Sequence, residues 1–277
     1  MLKYPNIDPV IFEIGPFAPR WYGFVYLCGF LFLYYWMRRE WRWLGVKKQE
    51  DVDSVLGLLI LSMILGSRIV FVLFYNFAEY RLSPWWEIFA VWHGGLSFHG
   101  GIAGIMIGSV FICRRYGLQL LRVWDVLIMS TPLAIGFGRL TNFINGELWG
   151  RVADVPWAMV FPGAGPEPRH PSQIYEAFLE GFLFYPIALF LWKRKVRHGV
   201  LVGVWGIWYS VTRVICELFR EPDRQVGFLF GGLTMGQLLS FAFFVTSVSV
   251  LVYSLRRGVS HSEMEALQQR GTAASRK

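Results

Sequence analysis

The feature that most constrains the fold is a series of apolar stretches, each about as long as a helix that crosses a bilayer. A spanning helix needs about 20 predominantly apolar residues. Seven stretches qualify, at roughly residues 20–37, 55–75, 97–113, 123–141, 174–192, 200–219 and 234–255. Glycines and polar residues enter one end of the third and fifth. We therefore predict an all-α polytopic membrane protein with about seven spans, a single transmembrane domain over residues 1–257 and a polar cytoplasmic tail over 258–277.

Composition agrees with this prediction. Charged residues make up 17% of the chain, whereas about 25% is usual for soluble domains. Aromatic residues reach 18%, which suits belts at the membrane surface, and the short run at 85–92 is expected to lie there. The net charge of +8 raises the question of nucleic acid. Because the basic residues form short clusters between apolar runs, membrane topology explains them better and no nucleic-acid partner is predicted.

The basic clusters also predict an orientation. Cytoplasmic loops of membrane proteins are enriched in Lys and Arg. The clusters that define this side are Arg38, Arg39, Arg42, Lys47, Lys48, Arg114, Arg115, Arg122, Lys193, Arg194, Lys195, Arg197, Arg256 and Arg257. The N-terminus is then outside and the C-terminus inside, which requires an odd number of spans. Prolines and acids precede the first apolar run, so a signal peptide is not expected.

Ionisable residues inside the predicted spans lie almost entirely toward the outer side. Such residues are costly in lipid and usually face the protein interior. They are Arg68, His99, Arg139, Glu176, Glu180, Arg213 and Glu217, whereas Asp125 lies near the cytoplasmic boundary. A transporter would need polar groups along a path through both leaflets. This pattern instead predicts a cavity open to the outer leaflet, bordered by two long external loops at about 76–96 and 142–172.

Four sequence strings concentrate these polar residues: HGGLSFHGG at 93–101, GRLTNFINGELWGR at 138–151, RHPSQIYE at 169–176 and TRVICELFREPD at 212–223. In the first string, His99 has two open interpretations. A neutral histidine can serve as a general base near pH 7, or it can simply hydrogen-bond a loop. Gly100, Gly104 and Gly108 have the small-residue spacing that usually indicates helix packing.

The second string is dense in hydrogen-bond donors. Arg139 and Asn142 share a face if the helix reaches that far, and the Asn-Gly pair at 145–146 indicates a turn. Glu147 and Arg151 are four residues apart and are expected to pair. Arginines and asparagines at an apolar boundary would bind a lipid phosphate well, because a guanidinium grips phosphate through two hydrogen bonds.

The remaining polar and thiol groups favour structural roles. Ser172, directly after Pro171, is expected to cap the fifth span, since the GxSxG turn of a serine nucleophile is absent. For Arg213 and Glu217, four residues apart, a buried ion pair and a substrate role are equally open. Three cysteines inside apolar runs, without metal-ligand spacing, are expected to be packing residues: Cys28, Cys113 and Cys216.

On these strings the chain resembles the bacterial phosphatidylglycerol–prolipoprotein diacylglyceryl transferases. The second string is close to a signature of that family, and the resemblance runs from NIDPVIF at 6–12 to MGQ at 235–237. It implies transfer of the sn-1,2-diacylglyceryl group of phosphatidylglycerol to the lipobox cysteine of a preprolipoprotein. It also implies a seven-span enzyme of the bacterial inner membrane, an active site toward the periplasm, and no metal or organic cofactor.

The resemblance also suggests roles for single residues. We expect Arg139 and Arg213 to hold the phosphate, with Glu217 orienting Arg213 and His99 as the candidate base. The headgroup site is expected to be shaped by Asn142, Glu147 and Gly150, with Tyr22 also in the site and with Arg220, His170 and Arg68 as further candidates. The identity of the base stays open, because His170 is also external and the arginines alone could help the thiol to ionise.

Other functional classes fit less well. A lipid scramblase would carry polar groups in both leaflets, and an intramembrane protease would show HExxH, an aspartate pair or a serine elbow. A CDP-alcohol transferase would need a metal-binding carboxylate cluster. A scaffold would not need three arginines within the outer halves of its spans.

Overall fold

The computed structural model describes residues 2–15, 18–77, 80, 84–91, 94–221, 232–260 and 263. His93 of the first string, residues 222–223 of the fourth, part of the predicted loop at 76–96 and most of the predicted tail lie outside these ranges. The chain forms two compact units, one from Met1–Leu33 with Trp124–Lys277 and the other from Tyr34–Val123. Each unit is described by itself, and a single domain over residues 1–257 stays a prediction.

The regular elements among the described residues are all helices, and the extended pairings are isolated bridges only. This confirms the all-α prediction. The long helices are α1 Trp21–Arg39, α2 Asp51–Tyr75, α3 Phe98–Tyr116, α4 Leu120–Ile128, α5 Thr131–Ile144, α6 Ser172–Lys193, α7 Val200–Glu217 and α8 Met235–Arg257. Single turns occur at Trp41–Leu44 and Trp85–Phe89.

Four of these helices, α2, α6, α7 and α8, are long and apolar enough to cross a membrane, and the bent pair α4–α5 provides a fifth candidate. They correspond to the predicted spans at 55–75, 174–192, 200–219, 234–255 and 123–141. Helix α1 is rich in Tyr and Trp, and α3 contains four glycines and ends on two arginines, so both have lower hydropathy. The seven-span count and the orientation therefore stay predictions.

Two prolines explain where helices break. Proline lacks the N–H that would bond four residues back, and its ring displaces that carbonyl. Pro132 lies four residues after Ile128, the last residue of α4, and α5 begins there after a bend of 44°. Pro186 lies four residues after Phe182, where a widened π-helical segment of α6 ends. These breaks lie within the helices that carry the polar residues.

Glycine contacts allow helix backbones to approach closely. A methyl group at Gly104 of α3 would collide with the carbonyl oxygen of Ser62 on α2 and lie 3.1 Å from the Cα of Gly66. A methyl group at Gly181 of α6 would lie 2.8 Å from the carbonyl oxygen of Pro132 on α5. The helix-packing interpretation of the glycine repeat in the first string is therefore confirmed.

Hydrogen bonds and packing contacts hold two regions of the first unit in place, the start of α7 and the loop after α5. Near the basic end, the buried carboxylate of Asp125 accepts hydrogen bonds from the backbone N–H groups of Gly199 (2.6 Å) and Val202 (3.1 Å). It thereby satisfies donors at the start of α7. Tyr4 of the N-terminal segment donates to the carbonyl oxygen of Phe143, near the end of α5, at 2.6 Å and packs with Phe161 of the loop after α5. This long loop therefore has a core of its own.

The three cysteines are free. Cys113 and Cys216 are buried, as expected for packing residues, whereas Cys28 is exposed on α1. The packing prediction is therefore wrong for Cys28, because an apolar position on a helix need not be covered by other parts of the chain.

Candidate active site

A buried cluster of charged side chains joins α5, α6 and α7. Its centre is Glu176, which is fully buried on α6. One carboxylate oxygen lies 2.9 Å from Nε of Arg139 on α5, and the other lies 3.2 Å from Nη1 of Arg213 on α7. A single carboxylate therefore fixes two guanidinium groups that the sequence places 74 residues apart.

A second carboxylate repeats this arrangement one helical turn later. Glu180 is also fully buried, with one oxygen 3.3 Å from Nη2 of Arg139 and the other 3.6 Å from Nη1 of Arg213. Sequence reasoning noted Glu176 and Glu180 as polar residues in the span and gave neither a role in the site. Their four-residue spacing in an apolar helix, which places both on one face, was the available signal.

The C-terminal end of α7 completes the cluster. Arg213 forms the expected ion pair with Glu217. The second oxygen of Glu217 accepts a hydrogen bond of 2.8 Å from the hydroxyl of Thr234, the residue that caps α8. Nη1 of Arg220 lies 3.3 Å from Glu217 as well. Gly236 packs against this carboxylate, since a methyl group there would lie 2.8 Å from its Oε1.

The cluster is electrically balanced. Three arginines (Arg139, Arg213 and Arg220) meet three glutamates (Glu176, Glu180 and Glu217), so the formal charges cancel. Buried charges persist only when they are paired. Arg139 has the most exposed side chain of the three, at 19%. A phosphate that approaches the cluster would therefore meet the edge of Arg139 first.

The loop after α5 brings the second string against this cluster. The helix extends to Ile144, so Arg139 and Asn142 do share one helical segment, and Gly146 has the positive φ of a turn. Glu147 accepts hydrogen bonds from the side-chain amides of Asn142 (2.8 Å) and Asn145 (3.0 Å).

The expected pair between Glu147 and Arg151 is wrong. Arg151 instead donates to the carbonyl oxygens of Arg220 (3.0 Å) and Glu217 (3.2 Å). The helix has ended by this point, so a four-residue spacing no longer places two side chains on one face.

Gly150 packs closely against the backbone of two other segments. Its N–H donates to the carbonyl oxygen of His170 at 2.9 Å, and it forms an antiparallel bridge with Arg220. A methyl group at Gly150 would lie 2.6 Å from the carbonyl oxygens of His170 and Phe219. Any side chain at this position would push the loop away from the C-terminal end of α7.

The capping prediction for Ser172 is wrong. Ser172 is the first residue of α6, and its hydroxyl donates to the carbonyl oxygen of Leu148 at 3.1 Å. Leu148 has a positive φ of 57°, which turns the loop toward α6. Gln173 supports the same loop by donating to the carbonyl oxygen of Glu147 at 2.6 Å. The role of Ser172 is structural, but it supports the loop and does not cap the helix.

His170 is held by aromatic neighbours. Its ring contacts Phe219 at 5.2 Å between centroids, and its Nδ1 lies 3.1 Å from the hydroxyl of Tyr175. Partial burial lowers the pKa of His170, because desolvation disfavours the charged imidazolium. The neutral ring is therefore the prevailing form at neutral pH.

Three predicted site residues are not joined to the cluster. The hydroxyl of Tyr22 on α1 lies 3.4 Å from that of Tyr26, and its ring is exposed. His99 belongs to the other unit, where it is exposed in the first turn of α3. Arg68 also belongs to that unit. Its guanidinium donates to the carbonyl oxygens of Glu87, Ile88, Gly94 and Gly95 and so supports the loop before α3.

The donor set of the cluster suits an anion. Among the residues that the structure describes, no group of three or more His, Cys, Asp and Glu side chains is arranged to hold a metal ion. Each glutamate of the cluster faces a guanidinium. Arginines fixed by carboxylates in a dry environment can stabilise negative charge that develops on a phosphate.

Comparison with known proteins identifies the family. The model of the prolipoprotein diacylglyceryl transferases matches residues 9–253. The phosphatidylglycerol–prolipoprotein diacylglyceryl transferase of Rhodospirillum rubrum is 47% identical over 262 residues, which cover 92% of this chain and 95% of that protein. The protein of the same name from Geobacter sulfurreducens is 43% identical, covering 93% of this chain and 99% of the relative. The chain therefore belongs to the prolipoprotein diacylglyceryl transferase family.

Proposed function

We propose that this chain transfers the sn-1,2-diacylglyceryl group of phosphatidylglycerol to the thiol of the lipobox cysteine in a preprolipoprotein. A carbon–sulfur bond forms, the bond between the glyceryl carbon and the phosphate oxygen breaks, and glycerol-1-phosphate leaves. The thiol proton is released to the phosphate or to solvent. This is the first step of lipoprotein maturation. The family match and the names of the relatives support the reaction.

The observation that carries the proposal is the cluster in which Glu176 fixes both Arg139 and Arg213. As the carbon–oxygen bond breaks, negative charge grows on the leaving phosphate. Guanidinium groups already oriented in a buried site stabilise that charge without reorganisation. In this reaction Arg139 and Arg213 hold the phosphate, and Glu217 orients Arg213. Asn142, Glu147 and Gly150 shape the place of the headgroup.

Thiol activation needs a separate group. A thiolate is the reactive nucleophile, so the thiol must lose its proton. His99 is the proposed base, and Tyr22 also belongs to the proposed site. Replacement His99→Gln should then remove most of the transfer while phosphatidylglycerol still binds. Full activity in this variant would exclude the role.

The membrane setting belongs to the same proposal. The chain crosses the bacterial inner membrane seven times, with the N-terminus in the periplasm and the C-terminus in the cytoplasm. The active site faces the periplasm. The charged cluster lies near the C-terminal ends of α5 and α7. These ends are remote from the basic clusters that define the cytoplasmic side, and this supports the orientation.

A transfer assay tests the proposal. Purified protein in detergent is mixed with phosphatidylglycerol and a lipobox peptide, and both glycerol phosphate release and peptide mass are followed. We expect equal amounts of glycerol phosphate and of peptide heavier by one diacylglyceryl group. Arg139→Ala should lower the rate at least about a hundredfold.

The assay has two controls. A peptide with serine in place of the lipobox cysteine should not react. Arg38→Ala provides a matched arginine variant, because Arg38 forms an exposed ion pair with Asp53 outside the cluster and such pairs contribute little. Unmodified peptide and unchanged lipid with folded protein would refute the enzyme assignment.

A further inference from the structure

Two consecutive hydrogen bonds outside the charged cluster link Trp157, Tyr175 and His170, and they determine the tautomer of His170. The indole Nε1 of Trp157 lies 2.6 Å from the hydroxyl of Tyr175, and the same hydroxyl lies 3.1 Å from Nδ1 of His170. An indole N–H can only donate a hydrogen bond. The oxygen of Tyr175 is therefore an acceptor toward Trp157.

The single hydrogen of the Tyr175 hydroxyl then decides the tautomer of His170. With that hydrogen directed at Nδ1, the hydrogen of the neutral imidazole resides on Nε2 and is the one donor of these three side chains that has no partner among the described residues. In the opposite tautomer, Nδ1–H and Trp157 would both donate to the Tyr175 oxygen. The hydroxyl hydrogen would then have no acceptor among the residues that the structure describes. The first arrangement leaves one group, Nε2–H, without a partner among the described residues, whereas the second leaves two, the hydroxyl hydrogen and the lone pair of Nε2.

This arrangement leaves the neutral ring of His170 without a free lone pair. The lone pair of Nδ1 is used by Tyr175, and Nε2 carries the hydrogen. Contacts with Phe219 and Tyr175, at 5.2 and 5.8 Å between ring centroids, fix the plane of the ring. His170 can therefore donate a hydrogen bond through Nε2, and it is not equipped to accept the proton of a thiol.

The backbone of His170 adjoins the proposed headgroup site. Its carbonyl oxygen accepts from the N–H of Gly150 at 2.9 Å. Gly150 in turn bridges to Arg220, whose guanidinium lies 3.3 Å from Glu217 in the charged cluster. A donor at this position is therefore close to where the phosphate and glycerol of phosphatidylglycerol are proposed to bind.

We propose that His170 is a specificity residue that donates a hydrogen bond, through Nε2–H, to an oxygen of the phosphatidylglycerol headgroup, and that it is not the general base. The inference rests on the proposed function for its ligand, whereas the tautomer rests on hydrogen-bond geometry alone. Its two parts are therefore tested separately.

The tautomer is tested by nitrogen NMR of the full-length protein in micelles, with histidine labelled with ¹⁵N. The signals of His170 are identified by their loss in His170→Gln. We expect a proton on Nε2 and none on Nδ1 at neutral pH. Tyr175→Phe removes the donor to Nδ1 and should give a mixture of tautomers. A proton on Nδ1, or a charged ring at neutral pH, would overturn the proposal.

The ligand is tested by kinetics with phosphatidylglycerol and lipobox peptide varied separately. His170→Phe keeps an aromatic ring and removes the donor, so the KM for phosphatidylglycerol should rise about tenfold. The KM for the lipobox peptide should stay unchanged. His170→Gln retains an N–H donor that cannot titrate and should bring the lipid KM back toward the native value.

Two kinetic results would contradict the inference. A large loss of kcat in His170→Gln would indicate a base, and a rise confined to the peptide KM would place the donor on the peptide. A native protein that transfers nothing would refute the proposed function, while the NMR result would still decide the tautomer. Thermal unfolding of each variant establishes that it is folded.

Discussion

Glu176 would organise the proposed active site without touching the reacting atoms. It is buried between two arginines and contacts each with a different oxygen. A guanidinium is planar and makes directional hydrogen bonds, so its orientation decides how it can meet a phosphate. The carboxylate therefore determines the geometry at which Arg139 and Arg213 are offered to a substrate.

Replacement Glu176→Gln should separate orientation from charge. Glutamine keeps the shape but leaves the cluster with one uncompensated positive charge, and breaking a buried pair costs about 3–5 kcal/mol. We expect a lower free energy of unfolding and a kcat reduced about tenfold or more. The KM for phosphatidylglycerol should change less, because the added positive charge favours the anionic lipid. Steady-state kinetics and thermal unfolding measure these effects.

Glu167→Gln is the matched control for this variant. Glu167 is exposed and lies 4.0 Å from Arg169, and surface pairs of this kind contribute about 0–1 kcal/mol. It should leave both kcat and stability unchanged. A native kcat in Glu176→Gln would mean that the two arginines do not need this carboxylate to reach their working geometry.

At the scale of helices, the sequence predicted the existence of most elements and the reasons for their contacts. Apolar length located α2, α6, α7 and α8, and glycine spacing predicted a closely packed face on α3, which the structure sets against α2. The bend between α4 and α5 follows from Pro132. These features depend on neighbours along the chain, which is why they can be inferred from one sequence.

Contacts that depend on irregular backbone were not predictable in the same way. The expected pair of Glu147 and Arg151 assumed a helix that has already ended, and the expected cap by Ser172 assumed that its hydroxyl would turn to its own helix. In both cases the turn around Leu148, with positive φ, redirects the partners. A residue other than glycine in that conformation is uncommon and has no sequence signal.

Helix packing through glycine makes a prediction with an internal control. Gly104→Ala should destabilise the protein by about 1–3 kcal/mol, because the added methyl group meets the backbone of α2. Gly57→Ala, within α2, adds a methyl group that has nothing within 4 Å. This control should be neutral or stabilising by up to about 1 kcal/mol. Thermal unfolding in detergent compares the two, and equal effects would contradict close packing at Gly104.

At the scale of the whole molecule, the sequence predicted how charged residues are distributed along the spans. It did not predict which of them come into contact in the cluster. The arginines and glutamates could be placed by their position along each predicted span. Which carboxylate meets which guanidinium depends on the rotation and packing of α5, α6 and α7, and single-sequence patterns do not determine these. The contacts within the cluster could therefore be found only from the structure, whereas the positions of its residues along the predicted spans could be read from the sequence.

The seven-span topology makes the final prediction. Helices α1 and α3 are less apolar than the other candidate spans. Whether α1 crosses the membrane therefore tests the topology, and α6 serves as the reference helix. Single cysteines are placed at the ends of each, at Asn6 and Lys47 for α1 and at Glu167 and Arg194 for α6, after the native cysteines are replaced. Intact spheroplasts are then treated with a thiol reagent that cannot cross the membrane.

Cysteines at positions 6 and 167 should react from outside, because the proposed orientation places both in the periplasm. Those at 47 and 194 lie beside basic clusters that the inner leaflet retains, and they should react only after the membrane is permeabilised. Opposite behaviour at 167 and 194 reports that α6 crosses. If positions 6 and 47 then react from the same side, α1 does not cross the membrane. If both react only after permeabilisation, the periplasmic N-terminus and the odd number of spans are refuted together, and if both react from outside, the cytoplasmic placement of the basic cluster at Lys47 is refuted instead.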